Sequence, residues 1–346
     1  MHAAVYTGNR TFSSAAPDAP SLGADEVRIA VRYVGLCGTD LHIFHGHMDG
    51  RVDIPAVIGH EMSGVISEVG ANVDGWTAGD AVTVMPLLWD GTCPACLAGH
   101  SHICQNLKFV GIDTPGALQE EWVVPASLLV RVPESVPLTH AALVEPVAVA
   151  VHDVRRSELE RGQKAVVIGA GPIGVLIASV VREIDADVVI VELDAGRRSF
   201  AEDVGLTTID PQEVDAVAWV QEWTGGAGAD VVFEVAGAAA AVLSATSYAK
   251  VRGTVVVVAI HPEPRPIDLQ RVFWRELRLL GARVYQRPDF EEAVRLVAAR
   301  AVPTDELISG IVPLGAVQQA FETLEKGGAL KLLVDVAGAG ETESRA

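Results

Sequence analysis

The sequence predicts an α/β protein in two parts, an irregular β-rich domain and a doubly wound parallel sheet. Three observations carry this reading. The first third is a series of short alternating segments. From about Leu143, short apolar runs alternate with longer helical stretches. A glycine-rich turn joins the first of those runs to the helix that follows it.

In the first third, residues 27–34 (VRIAVRYV) alternate apolar with polar or small side chains, as a half-buried strand does. Residues 65–70 and 80–84 are similar and are bounded by Gly and Asp. The expectation is an irregular antiparallel barrel. Beyond Leu143, residues 165–168, 188–191, 230–234 and 254–258 read as buried strands, and intervening stretches such as 174–184 are long enough for helices. An amphipathic helix is expected over 289–301, another over 315–326, and a last strand over 330–336. The tail from Gly338 is small and polar, which predicts disorder. The expected domains are 1–147 with 288–346, and 148–287 between them.

Bulk properties narrow the function. Half of the 346 residues are hydrophobic, enough for sizeable cores, while a formal charge of -19 repels nucleic acid and anionic lipid. Neither is an expected partner. The opening MHAAVYTGNR lacks the basic-then-apolar pattern of a signal peptide. The most apolar window, 165–181, is broken by GAGPIG and does not read as a membrane span. Four cysteines, three of them bunched, do not suggest a disulfide framework, so a reducing cytoplasm is the expected location.

Gly169-Ala170-Gly171-Pro172-Ile173-Gly174 fits G-x-G-x-x-G between a strand and a helix, the context that gives the pattern meaning. Gly169 permits the turn, Gly171 lets backbone approach a pyrophosphate, and Gly174 lets helix and strand pack closely. The helix start then offers free N–H groups to phosphate. Glu192 closes the second strand, where a carboxylate accepts from a ribose 2′-hydroxyl and repels a 2′-phosphate, favouring NAD over NADP. Arg197 and Arg198 are the counter-argument, since either can attract that phosphate.

Three pieces carry candidate metal ligands: Cys37-Gly38-Thr39-Asp40-Leu41-His42, Gly59-His60-Glu61, and Glu145-Pro146-Val147-Ala148-Val149. A thiolate, an imidazole and carboxylates suit Zn²⁺ with one position left for substrate. Singly, each has a plainer reading: a core thiol, a turn-filling histidine, a helix-end carboxylate.

In this order, and with the glycine loop, the pieces resemble the zinc-containing medium-chain dehydrogenases over nearly the whole chain. The resemblance implies a GroES-like catalytic domain beside a Rossmann domain. It implies that Cys37 and His60 bind a catalytic zinc, with Glu61 and Glu145 entering its shell directly or through water. At the place of Glu145 the classical alcohol dehydrogenases carry Cys, and the polyol and butanediol branches carry Glu. Thr39 and His42 match the family's proton relay, and Asp40 would orient His60. Cys93, Cys96 and Cys104 match three positions of a structural zinc lobe whose first position here is Asp90.

The implied activity is reversible hydride transfer between NAD and a secondary alcohol of a small polyol, sugar or vicinal diol. An L-threonine 3-dehydrogenase-like activity and a non-catalytic NAD-binding protein are the alternatives, with a zinc-free quinone reductase behind them. Tyr285 matches a substrate-facing position of sorbitol-type enzymes, but Val284 stands where those carry Arg, which counts against sorbitol itself. A homodimer or homotetramer, formed by sheet extension between nucleotide domains, would be usual for such a family.

Overall fold

The computed structural model describes residues 1–16, 20–327 and 329–338. The expected disordered tail from Gly338 falls almost wholly on 339–346, outside the described residues. The chain divides into two units: Met1–Glu145 with Gln286–Ala299 and Thr304–Ala346, and Pro146–Tyr285 with Arg300–Pro303.

The second unit is a six-stranded parallel sheet. In chain order its strands are Lys164–Ile168, Asp187–Val191, Thr207–Ile209, Ala229–Glu234, Ala249–Val257 and Arg278–Gly281, and in space they run 3-2-1-4-5-6. That order places a switch point between the first and fourth strands, where a dinucleotide straddles such a sheet. The strands are runs of Val and Ile because helices cover both faces. Val166, Val189, Val232 and Val255 are almost wholly buried and share one core with Ala216, Val220 and Tyr248. Full burial of such side chains stabilises by roughly 1.5–3 kcal/mol each. The fifth strand begins earlier than its apolar run suggests, because Ala249–Val257 carries a register shift against its neighbour.

The first unit is built on a seven-stranded sheet centred on Glu26–Gly35, which pairs antiparallel with Glu61–Val69, Glu121–Pro125 and Lys331–Asp335. The purely antiparallel expectation does not hold throughout, since Ile308–Pro313 runs parallel to Lys331–Asp335. An aromatic cluster anchors the short helix Gly38–Phe44. Phe44 stacks on Phe321 at 5.1 Å and Phe12 on Phe321 at 4.8 Å, while the Tyr6 hydroxyl donates to the Phe44 carbonyl. This packing joins the N-terminal hairpin, Gly38–Phe44 and Val317–Glu325, and it fixes the helix that opens at Cys37. Phe44 is therefore core.

Among the described residues no helix is long and apolar enough to cross a membrane. All four cysteines are free thiols.

Candidate functional site

Cys37 caps the helix Gly38–Phe44. Its Sγ accepts from the Thr39 N–H, and its own N–H donates to Asp40 Oδ2 at 2.9 Å. The capping box fixes the Cys37 sulfur at the helix start. His60 and Glu61 arrive at the head of the strand Glu61–Val69, which pairs Glu61 with Gly35. Gly35 leaves room for the carboxylate, since a Cβ at that position would force Glu61 Oε2 to shift.

The ligand atoms of Cys37, His60 and Glu61 all lie within 4.8 Å of one another. The His60 ring meets Phe109 edge-on at 5.1 Å. His60 Nδ1 is buried without a hydrogen-bond partner and faces Asp40 Oδ1 at 3.5 Å. In such an arrangement a carboxylate orients an imidazole whose other nitrogen serves a metal. Burial opposes a charge on His60, but the charge and close approach of Asp40, then of Cys37, outweigh it and hold the ring pKa well above its ordinary value. The pocket thus favours positive charge beside the Cys37 sulfur and the Glu61 carboxylate, and the donor set fits Zn²⁺. Glu145 is also buried, in the first turn of Val144–Ser157, but it lies outside this group of mutually close ligand atoms.

Sequence reasoning missed Lys331. Its side chain is 5% exposed, and Nζ donates to Glu61 Oε1 at 2.8 Å, Glu61 Oε2 at 2.7 Å and the Leu36 carbonyl at 3.1 Å. Burial opposes the ammonium, yet the charges of Glu61, Cys37 and Glu145 outweigh it and raise the pKa. The local pattern LKLLV gave no signal of this, because a lysine in such a strand reads equally well as a solvent-facing residue.

Thr39 and His42 stand three residues apart on the same helix, and so on one face. His42 is half-buried, and its Nδ1 lies 3.4 Å from Nδ1 of the exposed His47.

Asp90, Cys93, Cys96 and Cys104 form a second cluster, with ligand atoms within 4.8 Å of one another. The Cys93 and Cys104 sulfurs are 3.7 Å apart, matching the roughly 3.8 Å edge of a tetrahedron of thiolates about zinc. Backbone N–H groups point at the sulfurs: Cys96 and Gln105 at Cys93, Asn106 and Asp90 at Cys104. The N–H groups of Gln105 and Cys96 help lower the Cys93 pKa, while desolvation and the neighbouring thiols push Cys96 up to about 11. Asp90 is held well below the usual carboxylate range by the Cys93 N–H, the Asn106 side chain and the Thr92 N–H.

The glycine loop has its expected form. The helix Pro172–Glu183 starts from Gly171 with no side-chain cap, leaving its first N–H groups uncapped. A Cβ on Gly174 would collide with the Gly169 carbonyl, whereas one on Gly171 would meet open space that a pyrophosphate can fill. Pro172 and Ile173 form the first helical positions. Glu192 is nearly buried, and its carboxylate accepts from the Ala170 N–H at 2.6 Å and the Asp194 N–H at 2.8 Å. Arg198 turns inward to the Glu192 and Leu193 carbonyls and to Asp210, while Arg197 is exposed. Tyr285 is fully buried.

Residues 23–134 match the alcohol dehydrogenase GroES-like domain, and residues 172–299 match the zinc-binding dehydrogenase domain. The chain is 50% identical over 325 residues to 2-dehydro-3-deoxy-L-galactonate 5-dehydrogenase of Pseudoalteromonas atlantica, covering 94% of this chain and 95% of that one. It is 31% identical over 341 residues to sorbitol dehydrogenase of Halalkalibacterium halodurans, covering 96% and 99%. The crystal structure of 2R,3R-butanediol dehydrogenase from Bacillus subtilis superposes with a TM-score of 0.89 at 30% identity, covering 97% and 99%. By these matches the chain belongs to the zinc-dependent medium-chain dehydrogenases, as a dehydrogenase of the polyol and sugar branch.

Proposed function

We propose that the chain interconverts a secondary hydroxyl and the matching ketone on a small polyhydroxylated acid, with NAD as hydride carrier. The observation that carries the reading is the close grouping of the half-buried Cys37 with the buried His60 and Glu61. The 50% identity to an enzyme named for a deoxy sugar acid supports an anionic, hydroxylated substrate.

Cys37, His60 and Glu61 would hold the zinc, with Glu145 nearby. When bound, zinc supplies polarisation of the substrate oxygen, and NAD supplies the hydride acceptor. The chain's own residues handle the proton. The Thr39 hydroxyl passes the proton of the substrate hydroxyl to the His42 ring one turn along the helix. The contact between His42 and His47 at 3.4 Å carries it outward to an exposed ring. Asp40 keeps His60 oriented.

Gly169, Gly171, Pro172, Ile173 and Gly174 would cradle the pyrophosphate. Glu192 would accept from the ribose, since each of its oxygens retains a lone pair beyond the backbone bonds it already accepts. Arg197 is the exposed cation beside that place. Asp90, Cys93, Cys96 and Cys104 would hold a second zinc that stabilises the lobe.

A second copy of the chain would pair along the sheet edge Arg278–Gly281, where Phe273 and Trp274 are about three-quarters exposed and Leu279 is 40% exposed. Sedimentation of Trp274→Glu should show a smaller species, and an unchanged species would exclude this edge. Four free thiols suit a reducing cytoplasm, which cell fractionation can check.

A panel of sugar acids, polyols, vicinal diols and threonine, assayed with NAD and NADP by nicotinamide absorbance, tests the activity. Turnover confined to threonine would defeat the proposal.

A further inference from the structure

We propose that Lys331 is a positioning residue that shares Glu61 with the catalytic metal and thereby keeps that metal exchangeable. The inference rests on the metal reading of Cys37, His60 and Glu61.

An ammonium has three donors, and Lys331 uses all of them: two on the oxygens of Glu61 and one on the Leu36 carbonyl. The lysine is therefore held in one geometry and cannot follow Glu61 if the carboxylate moves. Both partners are sealed from water, so their attraction is little screened. Glu61 also belongs to the close ligand group, so each oxygen it offers a metal is already engaged by a cation. Lys331 feels the charges of Cys37 and Glu145 as well as that of Glu61. It is thus a fixed positive charge among the anions that would bind zinc.

Two opposite consequences follow from the two roles this lysine can have. If it only props up the pocket, its removal loosens the ligands and zinc leaves faster. If it competes with the metal for Glu61, its removal frees both carboxylate oxygens, deepens the negative potential, and zinc leaves more slowly.

Zinc release from the full-length protein into excess chromogenic chelator separates the two. The phase lost in Cys37→Ser belongs to the catalytic site. In Lys331→Met that phase should slow by about tenfold or more, from the loss of one nearby charge at low dielectric. Lys331→Arg, which keeps the charge, should release at the parent rate. Release from Lys331→Met that is equal or faster, or an arginine variant as slow as the methionine one, overturns the proposal. Should Lys331→Met fail to fold, Lys331→Gln is judged by the same rates. Parent protein lacking any Cys37-dependent zinc would instead overturn the metal reading, and this proposal with it.

Discussion

Glu192 accepts the backbone N–H of Ala170 inside the glycine loop at 2.6 Å, so the carboxylate proposed to read the ribose also braces the loop. The N–H of Asp194 takes its other oxygen. This double duty sets the direction of the first prediction. Glu192→Ser should weaken NAD, because the loop loses its brace. It should also shift the NADP-to-NAD ratio of kcat/KM toward NADP by about tenfold or more, because a buried anion no longer opposes the 2′-phosphate. Kinetics with both cofactors check this, and an unchanged ratio would remove Glu192 from the specificity argument.

The cysteine lobe yields a second prediction. Cys104→Ser removes one sulfur of the 3.7 Å pair and should reduce the zinc content of the purified protein by about half. Thermal inactivation should move to lower temperature, while the substrate KM stays near that of the parent. Asp90→Ala should act in the same direction more weakly, because the thiolates dominate the affinity. Full zinc content in the Cys104 variant would mean that the lobe is held by packing alone.

A third prediction concerns pH. Burial, then the charges of His47 and His45, lower the His42 pKa below its ordinary 6.5. The ring is therefore a neutral proton acceptor at pH 7. Alcohol oxidation should fall only as pH drops through this lowered value, and His42→Ala should cut kcat for oxidation by about tenfold and remove that acid limb. The stability sign follows separately. Between the lowered pKa and 6.5 the unfolded chain binds more protons than the folded one, so stability rises with pH through that window. His42→Ala should flatten this slope in a denaturation series. A slope identical to the parent would show that another group titrates there.

Much of the architecture was legible in the sequence because its determinants are local. The Val and Ile runs, the glycine loop and the Cys-x₂-Cys spacing each act over a few residues; the parallel sheet formed as expected, Cys37, His60 and Glu61 lie close together without Glu145, and Asp90, Cys93, Cys96 and Cys104 form a second close group. Lys331 was not legible, because its meaning lies in a carboxylate 270 residues away. Within LKLLVDV a lysine reads as a solvent-facing position of an alternating strand. Only the pairing of Lys331–Asp335 against Glu26–Gly35 turns it inward. The surroundings of Arg198 were not legible for a related reason: its charge is read from the sequence, but its engagement by Asp210 and two backbone carbonyls is not.

The position of the strand Lys331–Asp335 also matters during synthesis. The nucleotide unit is complete once residue 303 has emerged, whereas the sheet around Cys37 still lacks two strands, Ile308–Pro313 and Lys331–Asp335, and its buried lysine. Nascent chains should therefore acquire the ability to retain ADP before they can retain zinc at Cys37. Ribosome-stalled chains carrying a C-terminal linker long enough to bring residue 303, or residue 346, out of the exit tunnel would reveal the order, and simultaneous acquisition would refute it.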